Sequence, residues 1–127
     1  PVVHRAEELN FLGLARKIFD LAERARSGRL VPEEAVGSTF AITNFGVYGS
    51  LFGLPIINQP NVAILGVGGI KKRPVVWESE IGDSIVVRSM MLLSLGHDHR
   101  LIDGAYGTQF LQKVVHYLQS IDWEAEL

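Results

Sequence analysis

Two imidazoles and two carboxylates gather in one short stretch, His97-Asp98-His99 followed by Asp103. Imidazole is the side chain best suited to moving protons near neutral pH, because its unperturbed pKa of ~6.5 lies close to operating pH. His99 follows the run from Ile85 to Leu95, the longest strand candidate in the chain. Asp103 precedes a helical stripe formed by Phe110, Leu111, Val114, Leu118 and Ile121, and so stands where an N-cap belongs. A base at the end of a strand and a carboxylate at the start of a helix are both carried on rigid supports, as a catalytic pair requires. His97 and His99 are two residues apart and share one face of an extended chain, which with Asp98 and Asp103 invites a metal reading. No third ligand has the spacing to complete a tetrahedron, so proton transfer is preferred and no metal is expected.

Ser38 to Asn44 reads as a strand in which Phe40 and Ile42 alternate with Thr39, Ala41 and Thr43, and this places the Thr43 hydroxyl at the strand's exit. The stretch from Phe45 to Pro60 is dense in Gly and Pro yet carries Val47, Tyr48, Leu51, Phe52, Leu54, Ile56 and Ile57. Long loops in compact domains are commonly functional or interface-forming; here a subunit contact is preferred over the wall of a binding channel. Val62 to Leu65 and Pro74 to Trp77 read as further strands. Gly66-Val67-Gly68-Gly69 reads as a bend, since it lacks the spacing of a phosphate loop, and Lys71-Lys72-Arg73 as a solvated turn. Before these, Asn10 caps an amphipathic helix carrying Leu14, Ile18, Leu21, Ala22 and Ala25 and ending at Ser27-Gly28, and Pro32-Glu33-Glu34 opens a short one that Gly37 breaks. Helix, strands and helix in that order predict an α+β fold: a mixed sheet with helices packed on it.

Composition bounds the partners. The chain has 127 residues, 47% hydrophobic and 20% charged, which is ordinary for one globular domain with a real core. A formal charge of -2 provides no basic field for a phosphate backbone or an anionic bilayer, so neither nucleic acid nor membrane is expected as a partner. The absence of cysteine removes thiolate nucleophiles and fits a reducing compartment. With no signal-peptide pattern and no apolar run long enough to span a bilayer, a cytoplasmic or organelle-matrix location is expected.

Asp98-His99-Arg100-Leu101-Ile102-Asp103-Gly104-Ala105 resembles the DHRxxDG signature of the catalytic domain of dihydrolipoamide acyltransferases, the core components of 2-oxo acid dehydrogenase complexes. Ser38-Thr39-Phe40-Ala41-Ile42-Thr43-Asn44 is similar to the family's GTFTITN strand, Pro55-Ile56-Ile57-Asn58-Gln59-Pro60 to its PIINPP segment, and Ala63-Ile64-Leu65-Gly66 to its AILG segment. All four stand in the family's order. The resemblance covers nearly the whole chain, and it implies a chloramphenicol-acetyltransferase-like fold of which only the carboxyl-terminal half is present. No lipoyl domain and no peripheral-subunit-binding domain is expected within residues 1–127.

The resemblance also implies roles. His99 would be the general base that takes the proton from coenzyme A, Thr43 the hydroxyl that stabilises the tetrahedral oxyanion, and Asp103 the motif carboxylate that holds the geometry. Arg100 reads as a structural partner for a nearby carboxylate. The substrates implied are CoA and the acyl-dihydrolipoamide of a lipoyl domain, with active sites between the protomers of a homotrimer that joins a larger symmetric core. Other components of the complex would attach through domains outside these residues. The tail from Trp123 to Leu127 is a candidate for core contacts. Phe45-Gly46-Val47-Tyr48-Gly49-Ser50 leans toward the succinyl-transferring branch over acetyl or branched-chain enzymes. The family commonly has an aromatic residue where this chain has His97 and a serine where it has Gly96, so packing beside His99 is expected to differ. Two other readings compete: an inert structural core fragment, and a free-standing CoA-dependent acyltransferase acting on a small alcohol. The expected location narrows to bacterial cytoplasm or mitochondrial matrix.

Overall fold

The computed structural model describes residues 1–122, so the expectation for the tail from Trp123 to Leu127 lies outside the described residues. The described chain forms two compact units, residues 1–39 with 113–122, and Phe40–Gln112. In the first unit α1 spans Phe11–Arg26, and the Asn10 side chain accepts a hydrogen bond from the Gly13 N–H at 2.8 Å, as the sequence predicts. Leu21 on its apolar stripe is only 1% exposed. Arg24, in the last turn of α1, grips the Glu34 carboxylate at 2.6 and 2.7 Å and the Asp20 carboxylate at 2.9 Å. The Arg24 guanidinium, helped by the Val31 N–H, therefore holds the Glu34 carboxyl below its ordinary range. This ties the short 3-10 turn Pro32–Ala35 back to α1.

The second unit is built on a mixed three-stranded sheet in the order β1 (Ala41–Asn44), β2 (Ala63–Val67), β5 (Leu93–His97), with β1 parallel and β5 antiparallel to β2. A separate antiparallel ribbon joins β3 (Lys71–Trp77) to β4 (Ser84–Met90). With the helix α2 (Gly104–Ser120), the fold is α+β as expected. Ala63, Ile64 and Leu65 are all less than 9% exposed, because β2 is the central strand and is covered on both faces.

Alternation and register assign the two faces. Ala41, Thr43, Ile64, Gly66, Ser94 and Gly96 point one way; Ile42, Leu65, Leu95 and His97 point the other. Residues 45–60 cover the first face: the Phe45 ring lies over Gly66, and the Pro55 carbonyl approaches Gly96. The first half of α2 covers the second, where Gly107 meets His97 and Phe110 packs on Phe40 with ring centroids 5.8 Å apart.

Four details differ from the sequence expectation. The strand begins at Ala41, not Ser38, because the ladder with β2 starts at the pair Ala41–Ile64. Lys71, Lys72 and Arg73 belong to β3 instead of a turn; they pair with Met90, Ser89 and Arg88 and keep their charges exposed. Pro74 is tolerated inside β3 because a two-stranded ribbon consists only of edges. The run from Ile85 to Leu95 is two strands, since β4 pairs with the ribbon and β5 with the central sheet, and the chain changes sheet at Met91-Leu92. Gly66 and Val67 extend β2, and the bend falls at Gly68-Gly69, pinned by the Gly68 N–H on the Leu92 carbonyl at 2.9 Å and the Gly69 N–H on the Ser50 carbonyl at 2.9 Å.

At Gly68 a Cβ would run into the Leu51 carbonyl oxygen, which is backbone and has little freedom to yield. Gly68→Ala is therefore expected to destabilise the fold by about 1 to 3 kcal/mol, the usual range for overpacking, measured by urea unfolding of the complete protein. A variant as stable as the parent would mean that the loop does not lie on the sheet in this way.

Candidate active site

His99 and Asp103 sit where the sheet meets α2. The Asp98 N–H donates to the Val62 carbonyl at 2.8 Å, continuing the β2–β5 ladder one residue beyond β5. The Asp98 carbonyl then accepts from the N–H groups of Leu101 at 3.0 Å and Ile102 at 2.9 Å, and the chain turns sharply toward α2. His99 stands on this corner, exposed, with its backbone fixed on either side.

Arg100 locks the corner from outside. Its guanidinium donates to Asp98 Oδ1 at 3.0 Å and Oδ2 at 2.7 Å, and its N–H donates to Oδ1 at 3.0 Å. These donors hold the Asp98 carboxyl down from the ordinary 3.8 to about 2, so the carboxylate beside His99 is ionised throughout the physiological range. Arg100 is thus the partner of a nearby carboxylate that its type suggested. Asp103 ends the corner as the N-cap of α2: its Oδ1 accepts from the Tyr106 N–H at 2.7 Å and its carbonyl from the Gly107 N–H at 3.0 Å.

Thr43 lies elsewhere on the sheet. It is half-buried, in one cross-strand row with Gly66 and Ser94, and opens into an apolar depression of about 440 Å3 lined also by Phe45, Phe52, Ile56 and Ile64. Asp98, still in the ladder, is four residues beyond Ser94, or ~14 Å at ~3.4 Å per residue. His97 and His99 point away from the face that carries Thr43. One chain therefore brings His99 and Asp103 to the same corner but leaves Thr43 at the opposite end and on the opposite face. Neither the Thr43 hydroxyl nor the His99 ring makes a hydrogen bond to another group among the described residues.

Sequence reasoning assigned no role to His97 and passed over Gly107. The two are in close contact, and the His97 and His99 ring centroids are 5.4 Å apart. A glycine inside the helical pattern Gly104-Ala105-Tyr106-Gly107 was the available signal, since such a glycine costs ~1 kcal/mol against alanine unless close packing demands it.

Two outcomes follow from the corner. Asp103→Ala is expected to cost about 1 kcal/mol of stability by thermal unfolding, while Asp103→Asn keeps the cap and stays near the parent. The Asp98 pair has a folded pKa below the unfolded one, so its stabilisation is complete above 3.8 and drains away as pH falls through about 2. Arg100→Gln should move the Asp98 midpoint upward, read from carboxyl-carbon NMR shifts; an unmoved midpoint would contradict the lock.

Comparison with known proteins places this geometry. Residues 1–124 match the family model for the 2-oxoacid dehydrogenases acyltransferase catalytic domain. The acetyltransferase component of the pyruvate dehydrogenase complex of Mycobacterium bovis is 51% identical over the whole chain, which covers 23% of that relative. The succinyltransferase component of the human mitochondrial 2-oxoglutarate dehydrogenase complex is 49% identical over 90% of the chain and 24% of its own length. The chain thus spans about a quarter of the length of the curated relatives it matches. Among solved structures, a probable dihydrolipoamide acetyltransferase from Listeria monocytogenes superposes with a TM-score of 0.89 at 40% identity, over 98% of this chain and 51% of that one. The cubic core of a pyruvate dehydrogenase multienzyme complex superposes with a TM-score of 0.86 at 36% identity, over 94% of this chain and 48% of that one. A corner built on Asp98-His99-Arg100 and capped by Asp103, on a sheet that superposes on these catalytic cores, places the chain in the 2-oxoacid dehydrogenase acyltransferase family, within its catalytic domain.

Proposed function

We propose that this chain is the carboxyl-terminal half of a dihydrolipoamide acyltransferase catalytic domain and that it transfers an acyl group between dihydrolipoamide and CoA. The observation that carries the reading is the division of labour on the sheet. A free imidazole stands at one end and a free hydroxyl at the other, too far apart to act on one substrate within a chain. Two copies placed side by side, the His99 end of one against the Thr43 end of the next, would make a complete site. Closed trimers repeat such a heterologous contact three times, and the loop that borders Thr43 has the surface for it: Tyr48 is 90% exposed, Leu54 80% and Ile56 90%.

The chemistry is then a direct transfer. His99 takes the proton of the CoA thiol, and the thiolate attacks the thioester carbonyl of acyl-dihydrolipoamide. The Thr43 hydroxyl of the neighbouring protomer donates to the oxyanion as it forms. Collapse of the intermediate breaks the bond from carbon to the dihydrolipoamide sulfur, which receives the proton from the His99 imidazolium. Asp103 keeps the corner in shape through its cap on α2, and Asp98 and Arg100 hold the turn. No metal or acyl-enzyme is required.

The acyl chain is a short one. Relatives of both acetyl- and succinyl-transferring kinds match at similar identity, and Phe45–Ser50 favours succinyl. The lipoyl domain that delivers the substrate and the further components of the complex are proposed as partners, in a trimer-based symmetric core located in bacterial cytoplasm or mitochondrial matrix.

The test uses the complete protein in a thioester-exchange assay with acetyl-CoA and succinyl-CoA. His99→Ala should lower kcat by ~10²- to 10⁴-fold and Thr43→Ala by ~10²- to 10³-fold. Co-assembling the two variants should restore about one site in four, because the intact imidazole of one chain meets the intact hydroxyl of the other. Full activity of His99→Ala would refute the proposed base, and absence of complementation would refute the shared site.

A further inference from the structure

We propose that His97 is a positioning residue whose ring, seated against Gly107 of α2, fixes the orientation of the His99 imidazole. The inference rests on the reading of His99 as the base. His99 is exposed and makes no hydrogen bond among the described residues, so its two side-chain torsions are free to sample several rotamers. Proton transfer needs one of them, and a base misplaced by 1 Å can lose ~10²-fold in rate. The neighbour that limits this freedom is the His97 ring, 5.4 Å away between centroids and tilted by 43°.

That ring is itself held. Its backbone is paired with Ala63 of the buried central strand, and its edge lies so close to Gly107 that a Cβ there would stand 3.0 Å from both Cδ2 and Nε2. Its polar atoms do not explain the arrangement, because Nδ1 is buried and makes no hydrogen bond among the described residues. A buried nitrogen without a partner carries a desolvation cost, so selection for a histidine hydrogen bond would have supplied an acceptor or donor. What the position uses is a flat plate between helix and base. Gly107 is the space that lets the plate sit there.

Steady-state kinetics on the complete, assembled protein separate this role from a merely structural one. His97→Ala and His97→Leu remove the planar ring and should lower kcat on the order of 10-fold or more, with KM for CoA changed by less than about 2-fold. His97→Phe restores a planar ring and should keep kcat within about 3-fold of the parent. Gly107→Ala pushes on the ring and should lower kcat in the parent but cause no further loss in the His97→Ala background. Light scattering identifies any variant that does not assemble, and His97→Leu carries the comparison if His97→Ala is one of these. A His97→Phe loss as large as that of His97→Leu would overturn the proposal, as would a change confined to KM or additive losses at positions 97 and 107. His99→Ala is the control: if it retains activity the base reading fails, whereas an inactive His99→Ala beside a fully active His97→Leu sinks only the positioning role.

Discussion

The hydrogen bond from the Asp98 N–H to the Val62 carbonyl is the joint on which the site depends. It extends the ladder between β2 and β5 to the last residue before the turn, so the corner that bears His99 inherits the rigidity of the most deeply buried strand in the unit. Everything after it is a sequence of short local constraints. The Asp98 carbonyl closes the turn, Arg100 clamps the carboxylate, and Asp103 starts the helix. A flexible connection of the same length would scatter the imidazole over several ångströms. Here six residues carry the chain from sheet to helix, with the N–H groups of Asp98, Arg100, Leu101 and Ile102 all engaged.

The sheet has two working faces, and the glycines of β2 and β5 show how each is used. Residues 45–60 lie so close to Gly66 and Gly96 that side chains there would collide with Phe45 or the Pro55 carbonyl. On the other face the close approach is made by α2, and this time the glycine is on the helix, at Gly107. Backbone is packed tightly against sheet on both sides, which explains why a strand as short as β2 is buried over most of its length. The cost of that arrangement is that much apolar surface of the covering loop faces outward, as at Tyr48, Leu54 and Ile56. Such a loop is better suited to a contact between subunits than to bulk water.

Much of this was legible in the residues alone, and the reasons are local. Asn10 and Asp103 announce helix starts because their side chains cap the N–H groups that follow, and both do so. The apolar run Ala63-Ile64-Leu65 reads as a buried strand and is one. Partner choice was not legible. Ile85 to Leu95 carries no break in its β-forming character, yet it divides between two sheets, because its first part pairs with the preceding hairpin strand β3 and its second part reaches back to β2, and the choice of partner is not written in the local pattern. Lys71-Lys72-Arg73 has the charge of a turn and the geometry of a strand for the same reason: an exposed ribbon tolerates charge that a buried strand would not. His99, Thr43 and Asp103 stand out as candidates by type and motif. Their distribution over opposite ends and faces of the sheet was not legible, since register is a tertiary property. Nor was the contact between His97 and Gly107, which joins a strand to a helix that follows it.

The central claim is that the imidazole of one copy and the hydroxyl of the next belong to a single site. The most direct measurement is a structure of the complete assembled core with CoA bound, determined by cryo-electron microscopy. The account predicts that the CoA sulfur lies within hydrogen-bond reach of His99 from one protomer, with Thr43 of the adjoining protomer opening onto the same channel. A CoA sulfur remote from His99, or a Thr43 facing a separate cavity in every protomer, would contradict it.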